Sequence, residues 1–188
     1  MPENTEGFQI GGVNHVALVC SDMARTVDFY TNVLGMPLVK TIELPDGMGQ
    51  HFFFDIGNGD TLAFFWFPNA PDSAPGVASA SALPGRGDLD TAIGSMNHLA
   101  FGVPAEKMEE YREKLKAKGV VCTGIANHDD SPSQVSRELH DGVFLRSLYF
   151  FDPDGILLEF AAWTREFDED DVDRGLLDAN ANRSRVSG

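Results

Sequence analysis

One short segment occurs twice in this chain, and that duplication limits the possible folds more than any other feature. Gly12-Val13-Asn14-His15-Val16-Ala17-Leu18-Val19 returns as Ser95-Met96-Asn97-His98-Leu99-Ala100-Phe101-Gly102-Val103, with the two histidines 83 residues apart. That interval is too long for a solenoid repeat and suits a duplicated half-domain. Each copy leads into a helix pattern. After the first, Ser21-Asp22 offers an N-cap, Met23, Val27, Tyr30 and Leu34 share a face, and Gly35 ends the segment. After the second, Pro104 suits the first helical position, Met108, Tyr111 and Leu115 form the apolar stripe, and Gly119 closes it. Three strand-like stretches follow in each half, at 38–44, 51–56 and 61–67, then at 120–126, 144–151 and 155–162. Asp46-Gly47, Asn58-Gly59 and Asp152-Pro153-Asp154-Gly155 supply turns. The chain therefore predicts an α+β fold with the order β-α-β-β-β twice over.

The expected division is an N-terminal tail at 1–10, a first module at 11–68, a linker or loop over the site at 69–94, a second module at 95–163 and an acidic tail at 164–188. A polar stretch at 127–141 interrupts the second module and reads as a lid. The formal net charge of −15 argues against nucleic acid and against anionic membrane surfaces, and no local basic patch offsets it. No apolar run is long enough to cross a bilayer, and the first residues carry neither a basic nor an apolar leader segment, so a cytoplasmic protein is expected. Cys20 and Cys122 lie far apart and read as reduced thiols.

Strand sidedness locates the chemistry, because alternate residues share a face. His15 shares its face with Ala17, His98 with Ala100, and Glu159 with Leu157 and Ala161, while bulky neighbours point the other way. Three strands thus repeat one design, a potential ligand beside a small residue. A lone strand histidine is ordinarily hydrogen-bonded or solvated, and a buried glutamate can pair with an arginine. The matched positions of the two histidines and the face of Glu159 favour a metal site. Two imidazoles and a carboxylate that leave positions open accept Fe, Mn, Ni or Zn. His51 shares a face with Phe53 and Asp55 and could reach the site as a base, although an exposed strand histidine is the simpler reading. His128 reads as a surface loop residue. Phe52, Phe54, Phe64, Phe65 and Trp66 read mostly as core, with one face able to wall an aromatic-accepting pocket.

Asn14-His15-Val16-Ala17 and Phe29-Tyr30-x-x-Val33-Leu34-Gly35-Met36, followed by Asn97-His98-Leu99-Ala100-Phe101 and Tyr149-Phe150-x-Asp152-Pro153-Asp154-Gly155-x-x-x-Glu159, make the chain resemble the vicinal oxygen chelate superfamily. That group spans glyoxalase I, extradiol ring-cleaving dioxygenases, fosfomycin-resistance enzymes, methylmalonyl-CoA epimerase and bleomycin-binding proteins. The resemblance covers about residues 11–163. It implies two βαβββ modules whose mixed sheets pair into a cupped, partly open barrel around a metal held by His15, His98 and Glu159, in a homodimer acting on a small molecule. Glyoxalase I and the epimerase use a further ligand on the last strand of the first module, and matching the two halves by their turns places Phe64 there, which cannot ligate. Fosfomycin-resistance enzymes place a threonine two residues after the first histidine, where this chain has Ala17. Bleomycin-binding members lack the ligands. The extradiol enzymes fit best, with Fe(II) the expected ion, and their pattern assigns Tyr149 and His140 to catalysis. A glyoxalase-like lyase or isomerase using Ni, Zn or Mn, and a non-catalytic antibiotic binder, are the alternatives.

Overall fold

The structure is a computed structural model that describes residues 8–172 and residue 175. Parts of both expected tails, 1–7, 173–174 and 176–188, lie outside the described residues. Two four-stranded mixed sheets form, one per repeat. The first contains β1 (His15–Cys20), β2 (Leu38–Glu43), β3 (Gln50–Gly57) and β4 (Asp60–Trp66) in the order β1-β4-β3-β2. The second contains β5 (Leu99–Gly102), β6 (Ala126–His128), β7 (Leu145–Phe151) and β8 (Leu157–Trp163) in the order β5-β8-β7-β6. In each, the first strand pairs parallel to the last and the others run antiparallel, so the βαβββ order read from the repeat is the fold. The sheets are cupped and not closed into a barrel.

Helices cover the bulky face of each sheet. Asp22 caps α1 (Met23–Asp28) through a 3.0 Å bond from the Arg25 amide. The helix then widens into a π-turn at Phe29–Val33, which brings both Phe29 and Tyr30 into the core, and Gly35 at φ 81° ends it. A 3-10 turn at Ala105–Lys107 leads into α2 (Met108–Ala117), which buries Met108 and Leu115. One apolar core runs through both modules, joining Tyr30, Phe54, Leu62 and Phe64 to Phe101, Met108, Leu148, Phe150 and Leu158. Specific polar contacts close the same junction. Tyr30 donates to Asp152 at 3.2 Å, Asp154 accepts from Ser21 and Arg25, and Lys118 donates to the carbonyls of Asn32 and Val33.

The strand expected at 120–126 is a correction. Only Ala126–His128 forms a strand, with an isolated bridge from Cys122 to Phe150. The Tyr149 amide donates to the Thr123 hydroxyl instead of a backbone carbonyl, which breaks the ladder just before Gly124. The connection between the modules is not a free linker. Ala80 and Leu83 are buried against Leu157, with Tyr149 and Phe151 packed on them.

Candidate metal centre

Register builds the site on β8. Glu159 stands opposite Ala100 on β5 and Tyr149 on β7, and the next row along is Ala161 beside Ser147. The glutamate is 2% exposed. His98, immediately before β5, brings its Nε2 to 3.0 Å from Glu159 Oε2. The Tyr149 ring lies edge-on to His98, 5.8 Å between centroids. Glu159 Oε1 and Ser147 Oγ are buried without an aligned hydrogen-bond partner. Burial raises the Glu159 pKa, but the facing His98 outweighs it and carries the carboxyl below the ordinary carboxylate value. Burial likewise pushes the Tyr149 phenol up to about 12, so it keeps its proton.

The asparagine before each histidine fixes the ring. His15 Nδ1 and His98 Nδ1 each lie 2.8 Å from the side-chain oxygen of Asn14 and Asn97. Asn97 is itself oriented, because its amide nitrogen donates to the Leu89 carbonyl at 2.6 Å. Its oxygen can only accept, so His98 Nδ1 carries a proton and Nε2 faces the carboxylate. A neutral imidazole would then set a lone pair against Glu159 Oε2, which calls for a cation between them, either a proton or a metal. With the unpartnered Oε1, these donors fit a divalent ion. The asparagines' role was missed in the sequence, although the repeated Asn-His pair carried the signal.

His15 lies elsewhere. It starts β1 on the first sheet, exposed, with its ring 6.0 Å from Phe53. Among the described residues no group of three His, Cys, Asp or Glu side chains comes together to hold a metal. The chain thus brings His98, Glu159 and Tyr149 together and keeps His15 apart. His140 is also apart, in the 127–141 loop. Its Nδ1 accepts from the Gly142 amide and its Nε2 lies 3.2 Å from the buried Asp129 carboxylate.

Register also corrects the counterpart of Glu159. Ala17 faces Ala63 as Ala100 faces Glu159, so Ala63 holds the equivalent position and not Phe64. Phe64 points to the helix side, fully buried against Tyr30 at 4.9 Å. Alanine, like phenylalanine, has no donor, so the β4 position that matches Glu159 carries no ligand. On the same face as His15, His51 stacks on Phe65, and its Nε2 is buried without a partner. Burial, then the nearby His15, lower its pKa, so it is neutral at pH 7. A cavity of about 880 Å³ opens between the modules under the 69–94 connection, lined by Val19, Phe67, Arg25 and Asp154 among others.

Comparison with known proteins agrees with this frame. "Putative ring-cleaving dioxygenase MhqE" of Bacillus subtilis (strain 168) is 25% identical over 197 residues, covering 87% of this chain and 60% of MhqE. The chain therefore spans about 60% of that relative's length. Fosfomycin resistance protein FosX of Listeria innocua is 25% identical over 158 residues, covering 84% of this chain and 93% of FosX. A crystal structure of FosX from Listeria monocytogenes with Mn(II) and sulfate superposes with a TM-score of 0.51 at 24% identity, over 83% of this chain and 95% of that one. Among the described residues no helix is long and apolar enough to cross a membrane. Residues 12–160 match the model of the Glyoxalase/Bleomycin resistance protein/Dioxygenase superfamily, whose members are mostly metal-dependent enzymes, and the chain belongs to that superfamily.

Proposed function

We propose that this chain is a metal-dependent enzyme of the extradiol type, cleaving the ring of a catechol or a related small aromatic molecule. The observation that carries the reading is the Glu159–His98 pair, a buried carboxylate with a spare oxygen facing an imidazole whose other nitrogen is locked by Asn97. His15 of a second copy completes the set of three, which makes the working unit a homodimer. When bound, Fe(II) supplies positive charge to order the vicinal oxygens of the substrate and electrons for reaction with O2. Mn, Ni and Zn accept the same donors.

The chain's own residues do the rest. Glu159 supplies the anionic charge, and its burial keeps competing water away. Tyr149, protonated and packed beside His98, donates a hydrogen bond to a substrate oxygen. Ala100, Gly102 and Ala161 leave space next to the carboxylate for the ring. The catalytic role expected for His140 has no place in this reading while that side chain is tied to Asp129 and Gly142.

Anaerobic purification, metal analysis and oxygen uptake with a catechol panel test the proposal. Fe(II)-dependent oxygen consumption, lost in Glu159→Ala and His15→Ala, is the expected result. Tight Zn or Ni binding with no oxygen consumption would sink the dioxygenase reading, and substrate proton exchange without O2 would turn it to the lyase or isomerase class. Fosfomycin modification is a second reading, favoured by the 93% coverage of FosX and opposed by Ala17.

A further inference from the structure

The two sheets carry matching rows with opposite character. On the second sheet, the row after Glu159 consists of Gly102, Ala161, Ser147 and Ala126, which presents almost no surface. The matching row on the first sheet is Val19, Phe65, His51 and Ile42. It lies roughly 7 Å along the strand from the Ala63 row that parallels the metal carboxylate. His51 stacks on Phe65 with centroids 3.6 Å apart and planes 11° from parallel. Phe65 stacks in turn on Phe67 at 5.3 Å and 10°. Phe53 closes on His51 from the His15 side at 4.3 Å.

Three near-parallel rings form a ladder, and Phe67 at its end is 37% exposed and borders the cavity between the modules. Core aromatics do not require this arrangement, since Phe54 and Phe64 on the opposite face meet at 80°. Within the ladder, His51 Nε2 is buried and bonds to nothing. A buried nitrogen left unpaired costs stability that a ligand's polar group would restore.

We propose that His51, Phe65 and Phe67 are the specificity wall for a planar aromatic ring, with His51 Nε2 bonding an oxygen carried on that ring. The inference rests on the metal-centre reading, which sets the substrate beside His15, and it adds the surface that selects aromatic over aliphatic chelators. Because these rings already stack on one another, a ligand meets the rim of the ladder, and an aliphatic hydroxy acid or epoxide has no ring face to set against it.

Two hydroxamates separate the wall from the metal, because acetohydroxamate and benzohydroxamate offer identical chelating oxygens and differ by one ring. Calorimetric titration of the Mn(II)-loaded protein is expected to show benzohydroxamate binding about tenfold tighter. Phe67→Ala and Phe65→Leu should bring that ratio near one and leave acetohydroxamate affinity unchanged. His51→Phe keeps a ring in the ladder, so it retains the ratio but loses the added affinity of salicylhydroxamate, whose ring carries a hydroxyl. A ratio of one in the wild-type protein, with Mn(II) binding intact, overturns the wall alone. Failure of the wild-type protein to bind Mn(II) overturns the metal-centre reading and the wall with it. If Phe67→Ala dissociates the dimer in sedimentation and weakens both hydroxamates equally, the row is an interface between copies and the wall assignment fails.

Discussion

Asn97 holds His98 through one oxygen and is held in turn by the Leu89 carbonyl, so a residue of the connecting segment sets the direction of the imidazole that faces Glu159. Asn97→Ala frees that ring and is expected to cost about ten- to a hundredfold in Mn(II) affinity, read by electron paramagnetic resonance titration, with unchanged circular dichroism. Asn97→Asp keeps the acceptor and should retain most of the affinity. At this scale the sequence was informative where a residue type is expensive to bury. Glu159 inside an apolar strand already called for a cation, and the structure supplies His98 to face it. Asn97 was overlooked because an asparagine before a strand ordinarily reads as a turn residue. His140 was beyond reach for another reason, since its partners Asp129 and Gly142 depend on a loop whose path no periodicity encodes.

Alternation fixed the sidedness of each strand from the sequence, and the repeat fixed their order, so most elements were legible. What failed was local. The ladder at 120–126 breaks because the Thr123 hydroxyl takes a backbone amide, a choice invisible to hydrophobic pattern. Two features of these elements carry sharp consequences. Gly49 immediately precedes β3 at φ 141°, and a Cβ there would collide with the Trp66 carbonyl oxygen. Gly49→Ala should therefore cost about 3 kcal/mol or more in urea denaturation. The second feature is the turn between β7 and β8. Burial is the main reason the Asp152 pKa rises to about 6, against an ordinary 3.8. Between those values the folded chain keeps a proton that the unfolded chain has lost, so stability falls as pH rises through the window and levels off above it. The drop should be up to about 3 kcal/mol. Asp152→Asn, neutral throughout, should remove this dependence when denaturation midpoints at pH 4 and pH 7 are compared.

At the scale of the molecule, the helix faces of both modules share one core, while among the described residues His15 does not gather with His98 and Glu159 into a set of three donors. The sequence could pair His15 with His98 by their matched places in the repeat, but it could not say whether they meet in one chain or across two. Complementation decides this. His15→Ala and Glu159→Ala are each expected to be inactive, yet a mixed dimer holds one site with all three donors intact. Random re-association of equal amounts should restore about a quarter of wild-type activity under the symmetric arrangement. No recovery, despite proven subunit exchange by mass spectrometry, would place all three donors within one chain.

In the proposed dimer, separation of His15 from Glu159 makes competence a collective property. Below the dissociation constant of the pair, specific activity declines on dilution, because the fraction of chains owning a whole site follows mass action. Each ion bound across the boundary then works as a rivet, and by linkage the concentration at which copies part company falls as metal is supplied. In that dimer chelation is expected to loosen the assembly as well as silence it, so the supply of one ion would govern how many chains stand together and how many can work.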